Sequence, residues 1–183
     1  MKTVLLLAEE HFGGTIREFI NDRFEVTHLT PSRWKSKSFP SKTLTLLNSD
    51  YIHHFAGTES KTLINTCALF GRKLIIQFTG TDVYNILNAN PNRRRDIIRL
   101  YSKVWKLAAV SEHLVEELNS VSITDVEHIP FAVEFNAPEE LNQEPADAAL
   151  SYIPNGREDF YGWEKIKELI LKYPDVKFYI LAN

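Results

Sequence analysis

Cysteine is almost absent from this chain of 183 residues: Cys67 stands alone. That excludes a disulfide framework and any zinc site built from several cysteines. Long apolar runs are missing as well. The longest, Val4 to Ala8, is far short of the ~20 residues that a membrane-spanning helix needs. There is no signal-peptide pattern either, because Lys2 leads directly into that short run and then into Glu9 and Glu10, so the chain reads as cytoplasmic. No zinc finger, helix-turn-helix or RNA-binding signature occurs, and nucleic acid is not an expected partner. The sequence shows neither an internal repeat at a period of ~20–50 residues nor a low-complexity tract.

What is present suits an ordinary globular protein: 44% of residues are hydrophobic and 25% charged. At ~100–200 residues per domain, the length allows one full domain and part of a second. The net charge of −3 hides an uneven distribution. Arg33 to Lys106 carries 13 Lys and Arg against four Asp and Glu, while Phe131 to Asn183 carries five basic and ten acidic residues. Such a split points to one face that meets something anionic.

Apolar runs at Lys2–Glu10, Asp50–Ala56, Lys73–Phe78 and Val104–Val110 read as strands buried in a parallel sheet, joined by Phe24–Leu29 and Ile123–Pro130. Helical spacing follows most of them: Ile16, Phe19 and Ile20; a helix capped by Thr58, with Glu59 in its first turn, and closed by Gly71; one opened by Asn90-Pro91; one capped by Ser111. Thr30 to Lys42 reads as irregular. Strand and helix in alternation define an α/β fold with a Rossmann-like, mainly parallel sheet and flanking helices. Residues 1–136 form this first domain, and 137–147, acidic and proline-bearing, read as a linker. Residues 148–183 restart the alternation with Ala148–Ile153, Trp163–Lys172 and Val176–Leu181, an incomplete βαβ unit.

Chemistry has few places to sit. Gly13-Gly14-Thr15, between a strand and a helix, is either a tight turn or a loop that brings backbone N–H groups up to an anion. It is neither a GxGxxG nor a P-loop. Gly80-Thr81-Asp82 lies at the sheet's carboxyl edge, where open α/β sheets bind ligands. There Asp82 orients a hydroxyl or takes a proton, or else caps the helix suggested by Val83, Tyr84 and Ile86. His53 and His54 are neighbours in one strand and point to opposite faces, so they form no metal pair; one is a core histidine and the other reaches the cleft. His11, at the end of the first strand, is a further candidate, whereas His113 and His128 read as structural and Cys67 as core. Arg93, Arg94, Arg95, Arg99, Lys103 and Lys106 crowd one helix and its exit. With Arg33, Trp34, Lys35, Lys37 and Phe39, they are either a solvated face or a surface for a phosphate-bearing ligand or the anionic face of a membrane.

In order along the chain, Gly13-Gly14, FTGTDV (Phe78–Val83), LAAVSEHLVEEL (Leu107–Leu118), VEHIPFAVE (Val126–Glu134) and ALSYIPNGREDFYGWEKI (Ala149–Ile166) resemble the retaining glycosyltransferases of family 4. The resemblance implies a GT-B fold in which the N-terminal domain holds the acceptor and the following domain binds a nucleotide sugar. It implies transfer of a hexose, with retention, to a glycan or lipid-linked acceptor, as in polysaccharide biosynthesis, without a metal or other cofactor. It assigns the catalytic carboxylate to Asp82 and acceptor contacts to Gly13, Gly14, Thr15, His54, Gly80 and Thr81. Arg157 falls to the donor diphosphate, whose growing negative charge a fixed cation stabilises. Two positions depart from the pattern: Thr79 stands where the family often has His, and Tyr161 where it has the second cation. The family's two-glutamate acidic motif lies beyond Asn183, which implies a longer parent protein and no sugar transfer by this chain alone. The rival reading is a noncatalytic α/β module that uses its basic face for phosphate ligands or a membrane surface.

Overall fold

The computed structural model describes residues 1–55, 61–130, 148–153 and 162–181. They belong to two compact units, residues 1–134 and 135–183. The expected Thr58 cap with Glu59, the 137–147 linker, Arg157 and Tyr161 lie outside the described residues.

The first unit runs β1 (Lys2–Leu7), α1 (Glu10–Ile20), β2 (Phe24–Leu29), α2 (Pro31–Ser36), α3 (Phe39–Leu47), β3 (Tyr51–Phe55), α4 (Lys61–Leu69), β4 (Lys73–Phe78), α5 (Thr81–Leu87), α6 (Pro91–Tyr101), β5 (Lys106–Ala109), α7 (Glu112–Ser120) and β6 (Val126–His128). The six strands form one parallel sheet in the order β2-β1-β3-β4-β5-β6. The fold is α/β and Rossmann-like. Its single reversal of order falls between β1 and β3, and the crevice of such a sheet opens there at the carboxyl ends of the strands.

Strand alternation divides the core. Leu5, Leu7, Ile52, Leu74, Ile76 and Phe78 pack on one face against Leu46, Leu63, Ile64, Ile97 and Leu118 from the helices α3, α4, α6 and α7. Leu6, Ala8 and Phe55 face the other way, against Phe12 and Ile16 of α1. Cys67 is buried in the larger cluster, where burial pushes its thiol up to about 12, so it stays protonated and inert.

Two segments differ from the expectation. The stretch from Thr30 onward is not irregular but holds α2 and α3. Thr30 Oγ1 accepts from Arg33 N and Ser38 Oγ from Ser41 N, and a proline stands at the start of each helix. Gly13-Gly14-Thr15 is no loop; it lies inside α1, and neither glycine has a positive φ. Gly13 is required by packing instead. A Cβ there lands on the His28 ring, whose Nε2 donates to the Ala8 carbonyl at 3.0 Å.

Other signals stand where the sequence put them. Asn90 caps α6, Ser111 caps α7, and Gly71 closes α4 with φ +61°. The second unit consists, among the described residues, of β7 (Ala148–Tyr152), α8 (Trp163–Lys172) and β8 (Lys177–Leu181), with β7 and β8 parallel. No helix among the described residues is long and apolar enough to cross a membrane.

Candidate functional site

At the order reversal α1 covers one face of the sheet and α4 the other, and α2, α3 and α4 wall a gap at the carboxyl ends of β1 and β3. The result is a cleft of about 660 Å³. The two short helices that the caps of Thr30 and Ser38 start are what furnish its aromatic side. Trp34 packs partly on the core, while Phe39 stands at the cleft 66% exposed. Lys42 Nζ lies 5.9 Å from the Trp34 ring centre and donates to the Lys35 carbonyl at 3.1 Å. Thr43, Thr62 and Thr66 add hydroxyls, and Glu9 is the one carboxylate among the described lining residues.

His54 also lines this cleft, from β3. Its Nδ1 is buried and has no hydrogen-bond partner. Burial lowers the pKa of His54 from its ordinary value, against the opposing pull of the Leu7 carbonyl and the Asp82 carboxylate, so the ring is neutral at pH 7. A buried nitrogen without a partner carries a desolvation penalty of ~1–3 kcal/mol, the kind of local cost that structures retain at sites.

Asp82 does not line the cleft. It is only 3% exposed, and it ties the β4–α5 turn together. Oδ1 accepts from Gly80 N at 2.8 Å, Val83 N at 3.0 Å and Thr79 N at 3.1 Å, and Oδ2 accepts from Thr79 N at 3.2 Å. Gly80, with φ +122°, takes a conformation that L side chains rarely adopt, which is why glycine stands there. Of the residues singled out in sequence, the structure therefore brings His54 to the cleft and sets Asp82 behind it. Gly13, Gly14, Thr15, Gly80 and Thr81 are not among its lining residues. In sequence Trp34, Lys35 and Phe39 read only as a basic, aromatic surface; the signal for their placement at the cleft is Thr30-Pro31 and Ser38-Phe39-Pro40.

His53 points to the opposite face. Gln77 donates its amide to the Ile129 carbonyl at 2.8 Å, which turns its oxygen toward His53 Nε2, 2.9 Å away. His53 is thereby assigned the Nε2–H tautomer. Desolvation lowers its pKa to about 4, with the Gln77 bond opposing. An unfolded histidine takes its proton near 6.5, so between pH 6.5 and 4 the denatured state binds more protons than the native one. Stability accordingly falls as pH drops through that window. From pH 7.5 to pH 5, His53 alone removes about 2 kcal/mol, and His54 adds in the same direction. Urea denaturation at the two pH values measures this, and equal stabilities would contradict the buried, neutral state.

Among the described residues no group of three or more His, Cys, Asp or Glu could hold a metal ion. No family model matches the chain, and no curated protein gives a significant match. The likeness to retaining glycosyltransferases stands on the sequence motifs alone.

Proposed function

We propose that this chain is the acceptor-holding part of a retaining hexosyltransferase that uses a nucleotide sugar, with a glycan or lipid-linked acceptor lying in the cleft. One observation carries the reading: the cleft opens at the order reversal of the sheet and combines aromatic faces, hydroxyls and lysines. The apolar C–H face of a sugar ring packs on an aromatic ring, hydroxyls exchange hydrogen bonds with threonines, and Lys35 and Lys42 suit the phosphate of a lipid-linked sugar. His54 is the side chain in position to meet an acceptor hydroxyl, and Asp82 positions the β4–α5 turn and favours the His54 cation. In this reading the donor diphosphate falls to Arg157, and the protein works in the cytoplasm, at the inner face of the membrane when the acceptor is lipid-linked.

The engaged carboxylate of Asp82 favours a second reading, a binding module with no chemistry of its own, which shares the same cleft. Calorimetric titration with a hexose phosphate and with the same hexose unphosphorylated tests the cleft under either reading. Phe39→Ala, at an exposed position, is expected to weaken both at least about tenfold, and Lys42→Gln to weaken the phosphorylated sugar selectively. Absence of binding, or binding indifferent to both substitutions, would remove the acceptor site from this cleft.

A further inference from the structure

On another side of α4 lies a second groove, of about 370 Å³, between α4 and α6. Thr62 and Thr66 of α4 line the cleft, whereas Lys61 and Asn65 line the groove. Arg93, Arg99 and Lys103 enter it from α6 and its exit, and Asp96 is the one carboxylate among its described lining residues. Their spacing of three or four residues, from 93 through 96 and 99 to 103, is the spacing that keeps side chains along one side of a helix. Lys103 Nζ joins the two helices by donating to Asn65 Oδ1 at 2.9 Å.

The basic run of α6 therefore divides by task. Arg94 turns inward, where Nη2 donates to the carbonyls of Leu87 at 2.5 Å and Ala89 at 3.2 Å and closes the end of α5. Arg95 Nη2 donates to Asn92 Oδ1 at 2.6 Å, on its own helix. Arg93, Arg99 and Lys103 share the groove with Lys61. The first turn of α6 has no acidic residue. Arg93 stands in that first turn, where a cation opposes the helix dipole, whereas Arg99 stands in the last turn, where a cation favours it. The described lining of the groove thus holds four cations and one carboxylate, an excess of positive charge. A bound anion balances that excess.

We propose that the α4–α6 groove binds a phosphoryl anion, a phosphomonoester or diphosphate group carried by a soluble ligand or by a lipid headgroup. Guanidinium groups pair with two phosphate oxygens at once, and ammonium groups add point charge, so the mixture of Arg and Lys suits an anion with several oxygens. The site is independent of the acceptor cleft and stands or falls apart from it.

The test titrates the full chain with inorganic pyrophosphate at a constant ionic strength of ~0.15 M, alongside sedimentation with phosphatidylglycerol and phosphatidylcholine vesicles. The double variant Arg99→Gln/Lys103→Gln removes two exposed cations, and Arg17→Gln on α1 serves as control. Pyrophosphate binding is expected to weaken at least about tenfold in the double variant and to be unchanged in the control. Sedimentation with the anionic vesicles only, lost in the double variant, assigns the anion to a lipid headgroup. Pyrophosphate binding without sedimentation assigns it to a soluble ligand. Binding of neither probe, or binding equally strong in the double variant, overturns the site.

Discussion

Gly13→Ala is expected to destabilise the protein by about 1–3 kcal/mol, while the neighbouring Gly14→Ala leaves stability unchanged or raises it by up to about 1 kcal/mol. Both glycines lie within α1 in ordinary helical backbone, where replacing glycine by alanine normally stabilises. The difference comes from tertiary structure. A Cβ on Gly14 meets nothing within 4 Å, whereas one on Gly13 overlaps three atoms of the His28 ring. That ring cannot swing aside without giving up its hydrogen bond to the Ala8 carbonyl, which ties the end of β1 to β2. Urea denaturation of the two variants beside the parent measures the pair. A stabilised Gly13→Ala would show that His28 does not pack where the structure puts it.

Asp82→Ala is expected to cost about 3 kcal/mol or more. The substitution strands the N–H groups of Thr79, Gly80 and Val83 at a turn that is buried around a carboxylate. Hydrogen bonds to a charged group contribute ~1.5–3 kcal/mol each, and stranded donors keep their desolvation penalty. Asp82→Asn retains one acceptor oxygen for Gly80 and Val83 and is expected to lose roughly half as much. Both variants also withdraw the charge that favours a proton on His54, so His54 becomes still harder to protonate. Thermal denaturation gives the stabilities, and a histidine NMR titration gives the shift. An Asp82→Ala protein as stable as the parent would contradict the anchoring role.

These two positions show where sequence reasoning succeeds and where it stops. The sheet was legible because strands buried on both faces need unbroken apolar runs: Lys73–Phe78 was placed to the residue, and Leu5, Leu6 and Leu7 belong to cores on opposite faces. Helix ends carrying their own signal, Asn90-Pro91, Ser111 and Gly71, were legible for the same local reason. Gly13 is misread from sequence because its cause, His28, lies 15 residues away on β2. Arg94 could not be told from Arg93 by sequence, since only the placement of the Leu87 and Ala89 carbonyls turns it inward. The cleft was the least legible feature. It is assembled from β1, α2, α3, β3 and α4, and two of those helices were too short to show a periodic apolar pattern.

The cleft as an acceptor site is tested most directly by the indole N–H of Trp34 in a nitrogen-15 NMR spectrum. The chain has three tryptophans, so the indole resonances separate, and Trp34→Phe identifies the one in the cleft. On titration with a hexose phosphate, the Trp34 indole and the amides of Thr43 and Thr66 are expected to shift along one saturable curve, with Trp105 and Trp163 unmoved. A Trp34 resonance that stays fixed while other residues respond, or a spectrum that does not change at all, would contradict the proposed site.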